Sequence, residues 1–202
     1  MSHLYLTFSR EYEADVTESV KAELSAYFNI EGPYIYFQKS ADSGSGPQLI
    51  QLIGDYAAWL PLATAVSVYF STLAKKAADA TWDGLSLLFK KDDVKPLANV
   101  VNTLANAAQA VEGDVEIILG IDIPDKNWGT AMVIKSKNPE EIAGALASFV
   151  SRVELLAKEM EKVVAEGNAP LARAIITLEE DGSLLVRWQS QKDFNMHEKR
   201  IS

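Results

Sequence analysis

The composition of this 202-residue chain, with 48% hydrophobic and 23% charged residues, is typical of a folded globular protein and excludes general disorder. Its 28 acidic and 19 basic side chains give a formal charge of −9 without any run of lysine or arginine, which argues against nucleic acid as a partner because such binding depends on neutralising phosphates. The absence of cysteine excludes disulfides, thiol nucleophiles and thiolate metal sites.

The N-terminal residues do not have the pattern of a secretory signal. The stretch MSHLYLTFSREYEAD has no basic segment followed by an apolar one, and it turns acidic at Glu11. We therefore expect a cytoplasmic protein of bacterial type. The length suits one hydrophobic core, so we expect a single domain over residues 1–190 and a polar C-terminal tail over 191–202, where no periodicity is visible.

The first half of the chain contains two strand patterns followed by a long helical pattern. HLYLTF (3–8) and YIYFQ (34–38) are rich in aromatic and branched residues, which favours strands, and an amphipathic helix lies between them. A polar connector follows. We expect residues 47–111 to form a helical insertion or lobe, interrupted at Pro61 because proline removes a backbone donor.

The stretch 48–74 at the start of this insertion allows two interpretations. It contains one charged residue, Asp55, and two lysines follow it, as in a membrane span. A carboxylate is costly in hydrocarbon, and Pro61 divides the stretch into pieces of about twelve residues, a length typical of buried helices. We therefore expect two buried helices, and a segment that inserts into a membrane is the alternative.

Two hairpins and a long helix are predicted for the second half of the chain. Every second residue from Val115 to Ile123 is apolar, WGTAMVIKS (128–136) returns as the partner strand, and a second hairpin surrounds Asp181-Gly182. The helix that opens at Asn138 carries a continuous apolar stripe, which packs either across the sheet of its own chain or against its copy in a homodimer. As a candidate interface, the stripe consists of Ile142, Leu146, Phe149, Val153, Leu156 and Met160.

The order of these elements indicates the fold class. Strands flank the helical blocks but do not alternate strictly with them, which favours α+β. We expect a mainly antiparallel sheet of about six strands with helices on one face, and the helical insertion between the second and third strands.

Carboxylates are the most plentiful reactive groups, and they supply one of two candidate sites. Alternation places Asp114, Glu116 and Asp122 on one strand face, where their oxygens could converge on Mg²⁺ or Ca²⁺. The calcium-loop pattern D-x-D-x-D-G is absent, so we favour a solvated strand face over a metal site. The other candidate is a pocket at a break between helices, formed by Asp55, Trp82 and Asp83.

These observations favour binding over catalysis. The glycine-rich stretch SGSGP matches neither a phosphate loop nor the G-x-S-x-G nucleophile pattern. We expect a protein-interaction or adaptor protein without catalytic activity, whose partner is another protein or its own copy. The alternatives are a carboxylate-based, metal-dependent enzyme or ligand-binding protein, and a membrane-active protein that inserts residues 48–74.

Overall fold

The computed structural model of the chain describes residues 2–36, 46–75, 92–122 and 129–202. Four predicted features lie outside these residues: the glycine-rich connector, the turn of the first hairpin, Trp82 and Asp83.

The described residues form eight strands, four α-helices and one 3₁₀ helix. In chain order these are β1 (Leu4–Ser9), α1 (Ala14–Leu24), β2 (Ile30–Tyr36), β3 (Gln48–Gly54), the 3₁₀ helix (Tyr56–Leu62), α2 (Ala63–Lys75), α3 (Lys95–Gln109), β4 (Val115–Asp122), β5 (Gly129–Ile134), α4 (Pro139–Ala165), β6 (Ala174–Leu178), β7 (Leu184–Gln189) and β8 (Met196–Ile201).

All eight strands join in one mixed sheet with the order β2-β1-β3-β4-β5-β6-β7-β8. The pairs β1–β2, β3–β4 and β5–β6 are parallel, and the other four pairs are antiparallel. The α+β class is therefore consistent with the structure, but the predicted sheet of six mainly antiparallel strands is wrong. Two strands were missed, β3 and β8, and each lies where the sequence suggested something else.

Strand β3 occupies residues predicted as the first helix of the insertion. Its sequence, QLIQLIG, is apolar on both faces, and a short run of that kind has no period that separates a buried strand from a buried helix. β3 pairs with β1 and β4 near the middle of the sheet, so the predicted pair of buried helices over 48–74 is corrected to a strand, a 3₁₀ helix containing Pro61, and α2. None of the helices described has the length and apolar character needed to cross a bilayer.

Strand β8 occupies half of the predicted polar tail. Its side chains at 197–200 are all polar or charged, and only Ile201 is buried, at 2% exposure. The strand forms because its backbone pairs with β7 along its whole length. An edge strand held mainly by backbone pairing does not need alternating apolar side chains. The sequence of the tail therefore shows no strand period, and it appeared unstructured.

The helices pack together on one face of the sheet. Each strand turns one set of alternate side chains toward them, such as Leu4, Leu6 and Phe8 of β1 and Ile117 and Leu119 of β4, all fully buried. These side chains form one hydrophobic cluster with residues of the 3₁₀ helix and of all four α-helices. The core therefore lies between the sheet and a single helical layer.

Charged contacts fasten β8 to this helical layer. Glu159 of α4 forms an ion pair with Lys199 of β8 and a second one, at 2.5 Å, with Lys162 on its own helix. The hydrogen bonds from these two ammonium groups lower the pKa of Glu159 from 4.5 to about 2. The contact therefore ties the last strand to the longest helix.

We expect the Glu159 contact to make stability fall in acid. Because the pKa is lower in the folded chain, the ionised carboxylate stabilises the fold above its unfolded value of 4.5, and this contribution is lost as the pH falls toward about 2. Thermal unfolding measured from about pH 6 to about pH 2 should show a shallower acid decline for Glu159→Gln than for the unchanged chain.

The matched control for this prediction is Glu154→Gln on the same helix. Glu154 pairs only with Lys158 among the ion pairs of the described residues, and both side chains are more than half exposed. Exposed pairs contribute little to stability, so this variant should keep the acid decline of the unchanged chain. If the acid decline of stability became equally shallow in both variants, the special role of Glu159 would be contradicted.

Candidate functional site

The sheet face opposite the helices carries the other set of alternate side chains. Ile53, Ile118 and Val133 lie near the middle of this face and are partly buried, whereas Ile175 is 47% exposed. None of them belongs to the core cluster. We call this the open face, because the described helices pack on the other one.

The three carboxylates considered as metal ligands do not meet on the open face. Glu116 lies 3.2 Å from the Lys135 ammonium, and Asp122 lies 3.1 Å from the Arg173 guanidinium. Glu116 and Asp122 are six positions apart along the strand, a distance of about 20 Å. Asp114 is exposed just before β4, and the described residues contain no group of three or more His, Asp or Glu side chains able to hold a metal ion. Each strand carboxylate thus has a cationic side chain as its neighbour.

The apolar stripe of α4 packs inside its own chain. All six of its members, at positions 142, 146, 149, 153, 156 and 160, are at most 1% exposed and belong to the core cluster. The stripe was expected to pack either across the sheet of its own chain or against a copy in a homodimer, and the structure shows it packed across the sheet. A second copy of the chain would have no access to these side chains.

Asp55 caps a helix at the position considered as a pocket. Its carboxylate accepts a hydrogen bond of 3.0 Å from the Ala58 amide, which satisfies one free donor at the start of the 3₁₀ helix. A cavity of about 270 Å³ adjoins it, lined in part by Asp122 and Glu161. The capping role accounts for Asp55, and the other two proposed pocket residues, Trp82 and Asp83, lie outside the described residues.

The largest exposed apolar side chains at one end of the sheet belong to β2 and its neighbour β1. Tyr34, Ile35 and Tyr36 are consecutive and 49%, 41% and 46% exposed, and Tyr5 is 43% exposed. Tyr34 is paired with Thr7, which points to the open face between two core residues, so Tyr34 lies on that face as well. The rings of Tyr5 and Tyr34 lie 6.5 Å apart. We call these four residues the β2 edge surface.

Acidic side chains outnumber basic ones in the first described stretch of the chain. Residues 2–36 contain six acidic and two basic side chains. Glu11, Glu13, Asp15 and Glu18 are exposed before and on α1, which packs next to β2. Glu31, within β2, has His3 as a neighbour at 3.0 Å. The stretch of chain that forms the β2 edge surface is therefore net acidic.

The two edges of the sheet differ in chemistry. The β8 edge carries His197, Glu198, Lys199 and Arg200 in succession, and charged side chains of this kind discourage the pairing of another strand. The β2 edge has one charged residue, and after Pro33 it presents only large apolar and aromatic side chains. One edge is thus protected by charge, while the end of the other is not.

Sequence reasoning identified YIYFQ as a strand but did not identify the edge. Its position at the end of the sheet depends on β3 taking the other side of β1, and β3 was assigned to a helix. One local signal was present: Pro33 has no N–H to donate, and proline within a sheet is confined largely to edge strands.

In comparisons with protein-family models, with curated proteins and with solved structures, nothing matches this chain. The function proposed below is therefore argued from the geometry and exposure of the β2 edge surface.

Proposed function

We propose that this chain is a protein-interaction or adaptor protein and that a partner polypeptide binds at the β2 edge surface. The observation that carries the proposal is the exposure of three consecutive large side chains, Tyr34, Ile35 and Tyr36, at the end of an edge strand. Tyrosine is enriched in protein interfaces because its ring buries a large area and its hydroxyl still bonds to water or to a partner.

Burial of this surface would supply a useful part of a binding free energy. Covering the exposed half of a tyrosine or isoleucine side chain is worth about 1 kcal/mol, so the four side chains together offer several kcal/mol before the costs of association are subtracted. The Tyr5 and Tyr34 rings already lie side by side, which lowers the ordering needed on binding. This suits a specific contact of moderate strength.

Interaction through this surface should be lost when the aromatic rings are removed. We expect the double variant Tyr34→Thr/Tyr36→Thr to lose a partner that the unchanged chain retains in affinity capture from the source cells. Threonine keeps a branched side chain suited to strands, so the substitution removes ring area with little effect on β2 itself. Binding of the purified partner should weaken by about tenfold or more, as expected for the loss of roughly 1.4 kcal/mol.

The matched control for this experiment is Met196→Thr on the opposite edge. Met196 is 68% exposed on β8, so the change removes apolar area from the charged edge. This variant should capture and bind the partner as the unchanged chain does, with circular dichroism confirming that all variants are folded. A partner held equally well by the double tyrosine variant would overturn the proposal.

A further inference from the structure

The β2 edge surface also indicates what kind of polypeptide it takes. Resting on the function proposed above, we infer that the occupant is an extended, positively charged segment of another protein, which pairs with the end of β2 as an added strand. Three features lead to this inference: the free backbone edge of β2, the arrangement of its side chains and the net negative charge of the chain.

The free backbone edge is the first feature. Among the described strands β2 has a single neighbour, β1, so its outer side can accept another strand. Pro33 has no N–H and discourages pairing along the first part of β2, and no such device follows it at 34–36. An added strand is therefore directed to the last three residues of β2.

The side chains of these three residues alternate as an added strand requires. Tyr34 lies on the open face with Tyr5, and Ile35, which pairs with Phe8, lies on the helical face. Cross-strand neighbours of aromatic and branched side chains stabilise sheets, so each face of the new strand would meet an apolar side chain. In strand addition the main chain supplies affinity and such alternate contacts supply specificity.

The net charge of the chain distinguishes between two occupants. Pairing of β2 with its own copy would bring together two chains of formal charge −9, in each of which residues 2–36 contain six acidic and only two basic side chains. Like charges brought face to face oppose association, and opposite charges favour encounter and binding. A basic segment therefore suits this edge better than a second copy.

The test is a selection of peptides that bind the purified full chain. A library of random peptides of about ten residues, which covers the usual strand length, is selected against the unchanged protein and counter-selected against Tyr34→Thr/Tyr36→Thr. We expect the enriched peptides to be net positive, to carry apolar residues at neighbouring positions so that one meets Tyr34 and the next meets Ile35, and to bind less well as salt increases. Enriched peptides that are acidic or neutral would overturn the charge assignment.

The pairing itself is tested on an enriched, fluorescein-labelled peptide. Methylation of its backbone nitrogens at alternate positions removes donors without altering charge, and methylation in the other register is the matched control. One of the two registers should bind about tenfold more weakly than the unmodified peptide, and those amides at 34–36 that point away from β1 should gain protection from hydrogen exchange. Equal binding in both registers would overturn strand addition.

The outcomes separate this inference from the proposed function. Peptides that depend on Tyr34 and Tyr36 but are not basic, or do not pair through the main chain, would leave the interaction surface standing and remove its assigned occupant. Self-association of the concentrated protein that disappears in the double tyrosine variant would likewise replace the basic segment by a second copy. A selection in which no binder depends on the tyrosines would remove both.

Discussion

Replacing Trp59 with alanine is expected to lower the free energy of unfolding by about 3–5 kcal/mol. Trp59 is fully buried, and its ring centroid lies 5.0 Å from that of Phe149 and 5.9 Å from that of Phe28. Its indole N–H donates a hydrogen bond of 3.1 Å to the carbonyl of Gly120 in β4. One side chain thus joins the 3₁₀ helix to α4, to the residues after α1 and to the middle of the sheet.

This loss is large compared with the total stability of an ordinary domain. Domains are stable by about 5–15 kcal/mol, so Trp59→Ala should leave a marginal fold whose urea midpoint is sharply lower. The control is Tyr56→Ala in the same 3₁₀ helix, where the side chain is 39% exposed and the loss should stay within about 1 kcal/mol. Equal midpoints for the two variants would show that the core does not depend on Trp59 in this way.

The elements with a strong local period were predictable. The apolar stripe of α4 and the start of this helix at Asn138 were confirmed. Both an amphipathic face and a helix cap depend on residues that are close together in the sequence. The structure adds the contact itself, since the Asn138 side chain accepts a hydrogen bond of 2.8 Å from the Glu140 amide. The hairpin turn at Asp181-Gly182 was equally local, and Gly182 there has a φ of +78°.

The two missed strands are stabilised by distant residues. β3 is apolar on both faces because it lies between β1 and β4, and that burial makes its sequence resemble a core helix. β8 has the opposite composition, since an edge strand needs few buried side chains and is held by β7 and by the Glu159 contact. In both cases the strand forms because it pairs with strands that are distant in the sequence, and the residues of the segment itself do not show this pairing.

The β2 edge surface was hidden for the same reason. Its residues were visible as a strand, but whether Tyr34 and Tyr36 face solvent depends on which strands flank β1. The carboxylates of β4 show the reverse case. Alternation predicted a shared face for these carboxylates, whereas the ion pairs of Glu116 with Lys135 and of Asp122 with Arg173 depend on neighbouring strands and segments that the local pattern does not contain.

The second substitution with a large expected effect on stability is at Gly54, the last residue of β3. A Cβ placed on this residue would lie 2.1 Å from the carbonyl oxygen of His3 and 2.9 Å from a methyl carbon of Leu4, which is its partner in β1. The closest atom belongs to the backbone, so the collision cannot be relieved by turning a side chain. Gly54→Ala should therefore force β1 and β3 apart and lower the free energy of unfolding by about 3 kcal/mol or more.

The same substitution at Gly144 should have the opposite sign. Gly144 lies within α4, and a Cβ placed there meets nothing within 4 Å. Alanine restricts the unfolded chain and favours helix, so Gly144→Ala should raise the free energy of unfolding by about 0.5–1 kcal/mol. Urea unfolding of both variants tests the contrast.

Because β1 is the strand that carries β2, Gly54→Ala should also weaken partner binding at the β2 edge surface, whereas Gly144→Ala should leave it intact. A Gly54→Ala chain as stable as the unchanged one would contradict the close β1–β3 approach from which that surface is built.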